Sequence, residues 1–315
     1  MKGEAIMSQS EGRPKLSWFQ RSERWQMFTA SPMVVASAIW LLFVVGVAIF
    51  APTLIAERAN LQNLMLRFYA PLQFEQGPEF IMGGDSLGRP ILLQLAMGAQ
   101  TSMIIAFFAV GISSAIGYAI GLVAGYFGGW VDNALLRIAD ILHTVPSILL
   151  ALVVLFILEP SVFNVIIVLG ITRIPVYLRT ARAQTVEIKE RTFVEVARSM
   201  GASHWRIITR EIAPLVFPTI RTLAVLEIAM VILAASSLTF LGIGLQRPDV
   251  DWGMMVADGK TYLKTAWFVA VFPGAVIVLT ALSASILSNW LRAVEDPTQN
   301  ILFARKPKAR KGANQ

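Results

Sequence analysis

Residues 191–214 read RTFVEVARSMGASHWRIITREIAP, a charged and interrupted segment in a chain that is otherwise apolar. Arg191, Glu195, Arg198, Arg206, Arg210 and Glu211 stand here in a protein that is 56% hydrophobic and only 15% charged. A soluble domain carries about 25% charged residues, so the chain reads as a membrane protein and this segment as a piece between two spans that meets water. Phe193, Val194, Ala197 and Met200 recur at helical spacing on one face. Arg191, Glu195 and Arg198 lie on the other, within reach of i,i+3 and i,i+4 pairing. Gly201 stands where a helix C-cap is expected, and Ser203 where the next helix would take its N-cap. Pro214 is expected to stop that second helix. The segment is therefore a helix–turn–helix elbow. It suits two roles: lying on the membrane surface as basic amphipathic helices do, or presenting a firm knob of both charge signs to a soluble partner.

Working outward, a helix crosses a hydrocarbon layer in about 20 residues. Five stretches meet that length: Met33–Ala56, Ser102–Val131, Leu135–Leu158, Thr222–Gln246 and Thr265–Leu291. Pro160–Leu178 is a weaker sixth, interrupted by Arg173, which is expected near a helix end with its head at the interface. The first apolar run begins behind a polar segment and is too long for a signal core, so it reads as an uncleaved first span. With six spans and both termini inside, 20 of the 27 Lys and Arg fall on the inner side, eight of them in 179–221. That asymmetry follows the positive-inside rule and supports the weak span. The layout expected is a cytoplasmic segment 1–32, a transmembrane domain 33–291 with outer loops 57–101 and 247–264, and a basic cytoplasmic tail 292–315. The tail's RKPKARKG (305–312) suits the anionic inner leaflet, and no nucleic-acid partner is expected.

Several chemistries are excluded. There is no cysteine, hence no disulfide or thiolate. The two histidines, His143 and His204, form no ligand set, and no metal site is expected. GMMVADGKT (253–261) resembles a phosphate-binding loop but has five residues between its glycines instead of four, and no strand precedes it. No residue is assigned a catalytic role. Gly117, Gly121 and Gly125 share one helix face and permit close helix approach, either as packing within the chain or as the lining of a pathway. Pro146 favours a kink in the third span. Glu227 is an intramembrane carboxylate, which by default suggests function; a hydrogen bond to a neighbouring helix is the plainer alternative.

The stretch EVARSMG…IAP resembles the EAA signature of permease subunits in binding-protein-dependent ABC importers. Glu195, Ala197, Gly201 and Pro214 stand at the matching positions, while Val196, Glu211 and Ala213 depart from the pattern. MGGDSLGRPILLQLAMGAQTS (82–102), GYFGGWVDNALLRIADILHTVPSILLAL (125–152) and LTFLGIGLQRPDVDWGMMVADGKTYL (238–263) resemble the di- and oligopeptide permease subfamily, which includes nickel permeases. The resemblance runs from about residue 30 to 300 and is nearest to the second permease of that pair. It implies an all-α polytopic membrane protein of the type I ABC importer permease fold, with six spans and a cytoplasmic coupling helix, in the inner membrane of a bacterium. It implies that the elbow (Glu195, Ala197, Gly201, Ala202, Ser203, Trp205, Arg206, Pro214) docks on a separate ATPase subunit. Asp251, Trp252 and Gly253 would face a periplasmic binding protein, and Glu227, Ser236 and Ser237 would line the substrate path. The partners implied are a second permease, one or two ATPases and the binding protein. ATP and Mg would sit on the ATPases, leaving this chain without cofactor or enzymatic activity. Ala235 stands where many such relatives carry an acidic residue, and Glu227 lies two turns earlier. A stand-alone ion-coupled secondary transporter is the alternative. It would call for buried acidic residues and paired broken helices, of which only Glu227 is evident. A membrane scaffold without transport is a third reading, but it gives no reason for the elbow.

Overall fold

The computed structural model describes residues 28–29, 31–247 and 249–295. Most of the N-terminal segment and all of the basic tail beyond residue 295 lie outside the described residues. The elements are α1 (Pro32–Asn60), α2 (Ile91–Phe127), α3 (Gly129–Thr144), α4 (Ser147–Ile157) and α5 (Val162–Lys189). They continue with α6 (Thr192–Ser199), α7 (His204–Phe240), α8 (Trp252–Gly259) and α9 (Phe268–Glu295). Among the described residues no strand forms; the one β-bridge, Gly84 to Pro90, closes a loop. Five helices, α1, α2, α5, α7 and α9, are each long and apolar enough to cross a membrane, and a bent pair makes six.

The bent pair is α3 with α4: the kink expected at Pro146 is present, and it breaks the straight span expected over Leu135–Leu158. That stretch is apolar enough for a span, but its axis turns by 80° at the break. Val145 is extended (ψ 130°) and Pro146 follows it. Proline disfavours helical geometry in the residue before it, and α4 alone, with 11 residues, is too short to cross. The weak sixth span is instead one unbroken 28-residue helix, α5. The first of the two long loops is also shorter than expected: α1 runs on to Asn60, and the loop that follows is residues 61–90.

The deepest contact in the bundle is between α2 and α5. A Cβ on Gly117 would stand 2.6 Å from the Tyr177 Cβ, one on Gly121 2.6 Å from the Ala181 Cβ, and one on Gly125 2.7 Å from the Thr185 Cβ. The glycine ladder is therefore an intrachain packing seam. Small residues let two backbones approach where lipid gives helices no hydrophobic reason to associate. α1 packs on α2 and α9, pinned by the Trp40 indole N–H donating to Thr280 Oγ1 at 3.1 Å.

The seam yields a stability contrast. Overpacking a well-packed contact costs about 1–3 kcal/mol and sometimes more, and here the obstruction includes the Leu178 carbonyl, 2.6 Å from a Cβ on Gly121. Gly121→Leu is expected to abolish the folded permease. Gly111→Leu, on the same helix with nothing within 4 Å of its Cβ, should be tolerated. Thermal unfolding of the two purified variants in mild detergent checks this.

Candidate functional site

The elbow is built by local hydrogen bonding. α6 ends in a pair of reversed bonds: Gly201 N–H donates to Arg198 O at 3.0 Å and Ala202 N–H to Ala197 O at 3.1 Å. This is the Schellman arrangement, which requires a left-handed residue after the helix. Gly201 supplies it with φ +82°. Ser203 then caps α7, its Oγ accepting from Arg206 N–H at 3.4 Å. These expectations of the sequence hold.

Pro214 behaves differently from its expected role. The second helix of the elbow does not stop there; it continues as α7 to Phe240, a single helix of 37 residues. Residues Ile207–Ile212 form a π-helical turn, and Ala213 N–H reaches back to Ile208 O. Proline has no N–H to give, and the wider turn re-pairs the backbone around it. The elbow is thus joined rigidly to a span. Ile207, Ile208 and Ile212 are buried beneath it.

Side chains clamp the elbow to α2, and the end of α5 to α2. Tyr126 Oη and His204 Nδ1 are 2.8 Å apart. Tyr118 Oη donates to Ala213 O at 2.6 Å, and Lys189 Nζ to Gly125 O at 3.0 Å. The outward face is apolar. Of the stripe expected on α6, only Val194 is fully buried. Val196, Met200 and Trp205 are 51%, 82% and 66% exposed, alongside exposed Glu195, Arg198 and Arg206. Large apolar groups at a charged tip mark an interaction site when they cluster.

At the other end of the bundle, α8 folds back onto α2 and α7. Asp251 caps α8, accepting from Met254 N–H at 2.8 Å and from Thr239 Oγ1 at 3.2 Å. The Trp252 indole N–H donates to Leu95 O at 3.0 Å. A Cβ on Gly253 would stand 2.6 Å from the Ser236 Cα. Asp251, Trp252 and Gly253 are all buried, which corrects their placement on a face toward a binding protein: they anchor the loop. Its exposed positions include Gln246, Arg247, Asp249, Lys260 and Lys264.

The residues expected on a substrate path separate. Ser237 is half-buried, Ser236 lies under Gly253, and Glu227 is buried, 3.4 Å from Arg173. Arg173 is correspondingly mid-helix and largely buried, its side chain 15% exposed, beside the charge of Glu227. Two further pairs tie α3 to α5: Asp132 to Arg182 at 2.5 Å and Asp140 to Arg179 at 2.8 Å. Asp132 is thus a bridge from the first turn of α3. Sequence reasoning missed these partners. The signal available was the cost of an unpaired charge at membrane depth, which should have sent Glu227 looking for Arg173. Among the described residues no group of three His, Asp or Glu side chains could hold a metal ion.

Burial raises the Asp251 carboxyl to about 6 from an ordinary 3.8, partly offset by its N–H and hydroxyl donors. The folded state therefore binds the proton more tightly than the unfolded chain. Stability must fall as pH rises between these two values and level off above 6. Thermal unfolding in detergent should show a higher midpoint at pH 5 than at pH 7 in the native chain. Asp251→Asn should remove that increment, and a pH slope unchanged by this variant would contradict the assignment.

Residues 117–299 match the family described as the binding-protein-dependent transport system inner membrane component. The probable D,D-dipeptide transport system permease protein DdpC of Escherichia coli K12 is 34% identical over 271 residues, 86% of this chain and 89% of the relative. The glutathione transport system permease protein GsiD of Pectobacterium atrosepticum is 35% identical over 277 residues, 87% of this chain and 90% of the relative. GsiD of Escherichia coli O157:H7 is 38% identical over 277 residues, 87% and 89% of the two chains. An elbow fused to a span, a bundle of apolar helices and this extent of identity have one explanation: the chain belongs to the binding-protein-dependent transport permeases, as a multi-pass inner membrane component of an ABC transport system.

Proposed function

We propose that this chain is one of two permeases that together form the path of an ATP-driven importer for small peptides or a peptide-like solute. The observation that carries the proposal is the elbow. Its exposed Val196, Met200 and Trp205 form an apolar knob ringed by charge at the end of a rigid helix, which suits a protein socket. That socket is a groove on a separate ATPase subunit, one beneath each permease, where ATP and Mg bind. The elbow end of the bundle, with both termini, faces the cytoplasm, in keeping with the excess of basic residues there. A periplasmic binding protein delivers cargo to the α8 end, meeting the exposed residues of that loop. The cargo class follows from the relatives, whose names specify a dipeptide and glutathione. The burial of Glu227 against Arg173 favours this reading over an ion-coupled transporter, which would need the carboxylate free to load and release an ion.

The absence of native cysteine makes the test clean. Met200→Cys, joined to a short bifunctional reagent in membranes containing the complete transporter, is expected to give an adduct with an ATPase subunit. An adduct only with lipid or with the second permease would contradict the docking. Adding Gly201→Asp, which places a side chain where φ is +82°, should leave the permease inserted. It should lower adduct yield and ATP-dependent uptake at least tenfold, a loss of about 1.4 kcal/mol in docking.

A further inference from the structure

We propose that the buried Arg173–Glu227 ion pair is a tether that keeps α5 and α7, the two helices flanking the elbow, together while the elbow is driven. The inference rests on the importer reading and adds a positioning role for two residues that reading does not use.

The position of the pair is the first argument. Arg173 lies near the middle of α5 and about 24 Å from that helix's elbow end, at 1.5 Å per residue. Glu227 sits in the inward seam of α7, where Val216, Ile220, Val231, Ala234 and Leu238 recur at helical spacing and are all buried. Any apolar residue would fit that seam. A buried ion pair is poor evidence of stability, because desolvation offsets the attraction, and well-packed apolar replacements are often neutral or better. A role other than stability is therefore called for.

The geometry of the pair is the second argument. The other partly buried bridges are tight: Asp85 to Arg89 at 2.6 Å and Asp132 to Arg182 at 2.5 Å. Arg173 and Glu227 stand at 3.4 Å. Among the described residues Arg173 Nε and Glu227 Oε2 have no hydrogen-bond partner, and neither has the neighbouring Tyr177 hydroxyl. A fixed buried bridge needs its remaining donors and acceptors satisfied. A loose one depends on Coulomb attraction, which falls only as the inverse of distance. It persists when two helices slide by an ångström, whereas interdigitated packing does not.

The location within the mechanism is the third. α5 leads into the elbow and α7 leads out of it. Near the elbow they are joined by Thr219 Oγ1 donating to Gln184 Oε1 at 3.1 Å. The Arg173–Glu227 pair repeats the join at membrane depth. A push on the elbow then reaches the far ends of both spans as one movement.

The test uses the assembled transporter with all other cysteines removed. Spin labels go on Phe163→Cys and Phe240→Cys, two exposed positions at the ends of α5 and α7 away from the elbow. The label distance is measured without nucleotide and after trapping with ATP and vanadate. In the native pair it should be the same in both states. In R173M/E227L, trapping should shift or broaden it by on the order of a few Å, the scale of helix shifts in switching proteins. The charge swap R173E/E227R should restore the native behaviour. The tether is overturned if R173M/E227L holds the native distance in both states, or if the native distance itself changes on trapping. Should R173M/E227L fail to assemble, Glu227→Asp keeps the charge and lengthens the gap; it should broaden the trapped distance, and no change would overturn the proposal. A native chain that retains no ATPase, and so cannot be trapped, would instead refute the importer arrangement on which the tether rests.

Discussion

The backbone contact between α2 and α5 is the constraint on which the rest of the structure depends. Lipid is as apolar as the helices, so burial of leucine against leucine does little to bring spans together. Close approach does, and Gly117, Gly121 and Gly125 permit it against Tyr177, Ala181 and Thr185. With that seam fixed, the ends of α2 and α5 become a platform. Tyr126 at the end of α2 reaches His204, and Lys189 at the end of α5 reaches Gly125. The elbow rests on two spans already locked together, and α7 rises from it without a break.

That continuity gives the elbow mechanical meaning. A loose loop would absorb a push. Here the turn is fixed by the Schellman bonds at Gly201 and the Ser203 cap, and Ile207–Ile212 pass the backbone around Pro214 without an interruption. Force applied at Met200 or Trp205 therefore acts on a helix that runs the depth of the bundle. At its far end, α7 meets the start of α8 through Thr239 and the buried Asp251, and Trp252 ties α8 to α2, so the α8 end and the elbow are parts of one connected body.

Much of this was legible in the sequence, and the misses have physical causes. The elbow could be read because its signals are local: a cap, a glycine and helical spacing all lie within a few residues. The five-plus-one spans could be counted because hydropathy is a composition, but the two least accurate readings concerned Leu135–Leu158 and α5. Pro146 signals a kink, but composition does not report how far a helix axis turns, so the 80° break of this apolar window is legible only in the fold. Arg173 lowered the score of α5 because its partner, Glu227, lies on a different helix. Pro214 reads as a stop in the sequence because the π-turn that accommodates it depends on the burial of Ile207, Ile208 and Ile212. The outward face of Asp251, Trp252 and Gly253 is implied by the family resemblance alone, and only the fold shows these three residues turned inward.

The measurement that tests the account most directly is the composition of the complex. The tagged chain, extracted in a gentle detergent, is purified and its companions are identified and counted by mass spectrometry. The account expects a second permease and ATPase subunits in a one-to-one ratio of permeases to ATPases. A chain that remains alone through several mild detergents, with its elbow intact, would contradict it.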